Sequence, residues 1–165
     1  MTTTEAPVSG KDRLAVPSAQ TIVNLAVGGC AGLGLWEAFS AVPTAWVAGF
    51  PLQPPELVRS LFQHQLGFSI SPIFAGLLHY LTGILFYPLG YFVLTRFVKS
   101  FGMPADGWIW GVVTYFIALA FFAPLAGQRF LLLDVPLLSL MSLVGHAVYG
   151  YVAAYVFEAL EERSA

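Results

Sequence analysis

Three ionisable side chains stand inside long apolar runs, and they are the groups with chemistry to offer. Glu37 lies in 33-LGLWEAFSAV-42 and is the only charged residue between Arg13 and Glu56. His79 lies in 75-AGLLHYLTGILF-86 and His146 in 141-MSLVGHAVYGYV-152. A carboxylate and two imidazoles can bond across helices, ligate a metal or relay protons. Ionisable groups inside a membrane are costly, so they face the interior and pair with groups on other helices. The partner expected for Glu37 is His79 or His146.

Each histidine is followed four positions on by glycine, as HYLTG at 79–83 and HAVYG at 146–150. Residues four apart share a helix face, so Gly83 and Gly150 are expected to leave room beside the rings. Two histidines at matched depth on separate helices could be the axial ligands of a b-type haem, with the porphyrin edge over these glycines. With Glu37 as a third ligand, the set Glu37, His79 and His146 would suit zinc or iron. Covalent haem attachment is excluded, because the chain has one cysteine, Cys30, and no CxxCH. No nucleophile motif, phosphate loop or paired-carboxylate arrangement is legible, so no catalytic residue is assigned.

The elements that must position these groups follow from composition. Hydrophobic residues make up 58% of the 165 and charged residues 10%; soluble domains run near 45–50% and about 25%. This is the composition of an integral membrane protein. The net charge of −2 leaves no basic footprint for nucleic acid. Four segments reach the roughly 20 apolar residues a span needs: about 21–49, 72–95, 107–126 and 136–157. The expected fold is all-α, a membrane four-helix bundle forming one domain over 19–160. Residues 1–18 read as a flexible cytoplasmic tail and 161–165 as a C-terminal tail, with 158-EALEERSA-165 the hydrated end of the last helix. Pro43 is the expected kink of the first span, and Cys30 a small buried hydrophobe.

Lys and Arg beside the spans set the orientation. With the N-terminus inside, Lys11, Arg13, Arg96, Lys99 and Arg163 lie inside, and Arg59 and Arg129 outside. Both termini are therefore expected in the cytoplasm. In the first outer loop, Leu57, Val58, Leu61 and Phe62 fall on one face of a helix over about 55–66, the pattern of an interfacial helix or a cap on the bundle. At 1.5 Å per residue His79 and His146 sit about 10–15 Å below the outer boundary. Glu37 is about 18 Å from it, so one polar layer can hold all three. Gly28 and Gly32 form GxxxG, the spacing that lets helices approach closely in lipid.

Three short motifs carry a resemblance: His-Tyr-x-x-Gly at 79–83, 124-PLAG-127, and Leu-x-x-His-x-Val-Tyr-Gly at 143–150. Over about residues 21–158 the chain resembles the YagU-like inner-membrane proteins and related small domains of unknown function. The resemblance implies a four-helix inner-membrane fold and no established reaction. Three functional expectations follow. The leading one is an accessory or assembly subunit, in a membrane complex or homo-oligomer, whose Glu/His layer specifies helix packing. The alternatives are haem or metal binding through His79 and His146, and proton or ion transport along the polar layer.

Overall fold

The computed structural model describes residues 16–164, so the proposed N-terminal tail lies largely outside the described residues. The described residues form helices and no strand. Four helical stretches, Ala19–Ala48, Pro72–Phe97, Ala105–Leu125 and Pro136–Ser164, are long and apolar enough to cross a membrane.

Local chemistry sets the boundaries. Helix α1 (Ala19–Ala41) starts at Ser18, whose hydroxyl accepts the Thr21 N–H at 3.0 Å. It breaks at Val42 because the next residue, Pro43, has no N–H and crowds the residue before it. Pro43 then opens α2 (Pro43–Ala48), which Gly49 ends in a left-handed conformation at φ 86°. Pro54 and Pro55 open α3 (Pro54–Leu66), and Gly67, at φ 76°, closes it. Ser71 caps α4 (Pro72–Phe97) by accepting the Phe74 N–H. In the turn before α5 (Ala105–Leu125), the Asp106 carboxylate accepts the Phe101 N–H at 2.9 Å and the Ser100 hydroxyl. Finally, α6 (Pro136–Ser164) is the central helix, packed against both α1 and α5.

The half of the bundle nearer Ala19 and Ser164 is closed by small residues. A Cβ on Gly28 would overlap the Ala153 carbonyl, and one on Gly32 would lie 2.8 Å from the Tyr149 carbonyl. On the other side of α6, Gly150 meets the backbone of Gly111, and Gly107 meets Tyr151. The GxxxG at 28–32 is thus a helix contact, as the spacing suggests. Cys30 faces outward and is exposed rather than buried.

Two wide turns interrupt the spans where prolines follow. Residues Thr82–Phe86 of α4 form a π turn ahead of Pro88, and Ile117–Phe122 of α5 form another ahead of Pro124. A proline inside a helix removes one N–H and pushes away the carbonyl four residues back; an inserted residue absorbs the strain. In α4 the released carbonyls find neighbours. Gly83 O accepts the Tyr149 hydroxyl at 2.7 Å. The Ile84 carbonyl lies against Gly29, where a side chain would overlap it.

The C-terminal acids are part of the bundle. The helix continues through 161 to Ser164, and two of its carboxylates, Glu158 and Glu161, are docked, while Glu162 is exposed. Glu158 accepts the Tyr91 hydroxyl, and Glu161 accepts Asn24 Nδ2 at 2.7 Å and Thr21 Oγ1 at 3.2 Å. A charge one or two turns past a span reads as hydrated in one dimension; here α1 and α4 supply its donors.

Candidate functional site

The half of the bundle beneath α3 holds a cavity of about 530 Å³ roofed by that helix. Leu57, Val58, Leu61 and Phe62, the apolar face legible in the sequence, form its roof. Helix α3 is pinned at both ends. Ser40 Oγ donates to the Leu52 carbonyl at 2.9 Å on one side, and Gln65 Nε2 donates to the Leu125 carbonyl at 2.7 Å on the other. Arg59 pairs with Glu56 at 2.8 Å and donates from Nε to the Ile70 carbonyl, tying α3 to the chain entering α4. Both π turns open onto the cavity, through Thr82, Gly83 and Phe86 in α4 and Ala118, Leu119 and Phe122 in α5. Leu131 and Leu132 adopt left-handed conformations, at φ 52° and 51°, which cost about 1–2 kcal/mol each. Both pack against the cluster of Tyr115, Leu119 and Ala123, and Leu132 reaches the cavity wall.

His79 and His146 both line this cavity. His79 Nε2 is 2.8 Å from Glu37 Oε1, across the α1–α4 boundary. The Glu37 side chain is 38% exposed and that of His79 16%, so the pair bridges the cavity wall and the outer surface of the bundle. His146 is engaged differently: its Nδ1 donates to the Ser142 carbonyl at 2.8 Å on its own helix, with Ser142 Oγ at 3.3 Å. The Trp36 ring joins the two, its centroid 5.7 Å from that of each imidazole. The structure therefore pairs Glu37 with His79, and sets His146 on the far side of one indole contact with no bond to Glu37.

The glycines do not serve the rings in the way the HxxxG spacing suggests. The space above Gly83 is filled by Leu33, whose Cδ1 would stand 2.9 Å from an added Cβ. Gly150 faces the α5 backbone, away from any site for a porphyrin edge. The His79 nitrogen nearest a partner is held by Glu37. These residues do not fit a bis-histidine haem. Nor do Glu37, His79 and His146 converge: among the described residues no three of His, Cys, Asp and Glu are grouped to hold a metal ion. Two further side chains matter here. Ser139 shares a 2.8 Å hydrogen bond with the Tyr115 hydroxyl. Trp36, buried with an unpartnered indole N–H, is the residue that organises the histidines. Its place directly before Glu37 was the one signal in the sequence.

Fold and site together define an all-helical protein of the membrane class with a roofed apolar cavity. The chain belongs to the family of unknown function DUF6789, which matches residues 19–165. No curated protein and no solved structure matches it.

Proposed function

We propose that this protein is a non-catalytic membrane protein that takes a small, mainly apolar molecule from the bilayer into the cavity beneath α3. The observation that carries this reading is the lining. The cavity of about 530 Å³ is walled mostly by aliphatic and aromatic side chains, with two imidazoles among its few polar groups. That combination is the usual character of a small-molecule site, within the usual 300–1,000 Å³. The Glu37–His79 pair then has a role beyond packing, since a membrane hydrogen bond stabilises by only about 0.6 kcal/mol on average. Binding rather than helix specification becomes the main purpose of the polar layer, and an accessory role within a membrane complex remains compatible with it. The resemblance to the YagU-like inner-membrane proteins supports a bacterial inner membrane, and the Lys/Arg distribution supports both termini in the cytoplasm, which would put α3 and the cavity at the outer leaflet. In a Cys30→Ser background, Ser69→Cys should then label from outside and Ser100→Cys from inside.

Photolabelling tests the binding. A photoactivatable alkyl diazirine in proteoliposomes should modify the cavity face, at Leu57, Leu61 or Leu119. Ala118→Trp, which fills the cavity, should remove that labelling. Modification confined to outward residues such as Ile73 and Leu77, unchanged by Ala118→Trp, would contradict the proposal.

A further inference from the structure

We infer that the cavity selects a hydroxylated aromatic head, a phenol or hydroquinone carrying an apolar tail, and this rests on the binding reading above. The argument is one of donors and acceptors. A neutral imidazole has one N–H and one lone pair, and the partner of one nitrogen decides the role of the other. His146 Nδ1 faces a carbonyl, which only accepts, so Nδ1 carries the proton. Nε2 of His146 is then an acceptor on a ring that lines the cavity. His79 Nε2 faces the Glu37 carboxylate, so in the neutral ring Nε2 carries the proton and Nδ1 is left as the acceptor. Both cavity imidazoles thus offer lone pairs. Their complement is a molecule that donates: a hydroxyl is matched, whereas an ether, a ketone or an oxidised quinone brings only acceptors. An anionic head such as a phosphate would set its oxygens against those two lone pairs.

The walls select the rest of the molecule. Trp36, Phe62, Phe86, Tyr87, Phe122 and Tyr149 line the cavity. Aromatic rings favour offset or edge-on contacts with other rings, worth about 0.5–1.5 kcal/mol beyond area burial. A ring-bearing head gains from these walls and a plain alkyl alcohol does not. Both imidazoles touch the same indole, each ring centroid 5.7 Å from that of Trp36, so a head stacked on Trp36 is within the neighbourhood of both. The aliphatic roof of α3 suits a tail.

The test is a set of affinities for the full chain in lipid nanodiscs. The probes are decylhydroquinone, its dimethyl ether, the corresponding decylquinone, decanol and decyl phosphate. The hydroquinone should bind about tenfold more tightly than its dimethyl ether, the size of one buried hydrogen bond. It should also outbind the quinone, the alcohol and the phosphate. His146→Leu should cut the preference over the ether severalfold, and His146→Gln, which keeps an acceptor, should restore part of it. Thermal melting of each variant separates lost recognition from lost folding, and His79→Gln supplies a second, independent acceptor change. Equal affinity for hydroquinone and ether, with cavity photolabelling intact, would overturn the donor assignment and leave the binding reading standing. Equal affinity for hydroquinone and decanol would overturn the aromatic part. Failure of every probe to compete with cavity photolabelling would overturn the inference, and absence of that labelling would overturn the binding reading beneath it.

Discussion

The two halves of the bundle are built from the same helices, yet one is closed and the other hollow. In the half nearer Ala19 and Ser164, α6 touches α1 and α5 almost backbone to backbone, through Gly28 and Gly32 on one side and Gly107, Gly111 and Gly150 on the other. In the half beneath α3 the helices are held apart by large side chains, including Trp36 and Tyr149, and by π turns ahead of Pro88 and Pro124. Lipid tails are as apolar as leucine, so membrane helices associate through packing and hydrogen bonds rather than hydrophobic burial. Close packing in one half therefore lets the other half stay open, and α3 covers the opening.

That contrast can be broken from either side. The largest effect is expected at the closed end. Gly150→Ala places a methyl into the Gly111 backbone, which cannot yield as a flexible side chain would. Thermal or SDS unfolding should show a loss of about 2–3 kcal/mol. Gly34→Ala, with nothing within 4 Å of the added carbon, should be neutral and serves as the control.

Next comes the polar wall of the open end. Glu37→Leu leaves His79 without its partner and should cost about 1 kcal/mol, whereas Glu37→Gln keeps an acceptor and should stay within a few tenths of wild type in the same unfolding assay. Identical melting of the two variants would mean that Glu37 acts through the surface it exposes rather than through His79.

Smaller still is Tyr149→Phe. It removes the donor to Gly83 O and should cost about 0.6 kcal/mol. Amide exchange should rise locally over 82–86 and stay unchanged in α5; a global rise instead would show that the π turn does not depend on this bond.

Much of the architecture could be read from the residues because membrane spans announce themselves by length and apolarity. The roof helix was legible from the spacing of Leu57, Val58, Leu61 and Phe62, and the pairing of Glu37 with a histidine from its isolation. What was hidden depends on residues far apart in the chain. Glu158 and Glu161 look solvated until Tyr91, Thr21 and Asn24 are brought beside them. Gly83 and Gly150 look equivalent in HxxxG, but Leu33 covers one and Gly111 the other. The π turns had a signal, prolines within spans, but a proline does not say whether the helix will kink, break or widen. Val42 shows the break and Thr82–Phe86 the widening. The cavity could not be read at all, because it is a volume that side chains on five helices fail to fill.

The most direct test of the account is mass spectrometry of the organic extract from protein purified in mild detergent, wild type beside Ala118→Trp. The account predicts one apolar compound near one per chain in the wild type, and its loss from the filled variant with folding retained. Equal amounts in both, or none in either, would contradict the claim that the hollow beneath α3 is a binding site.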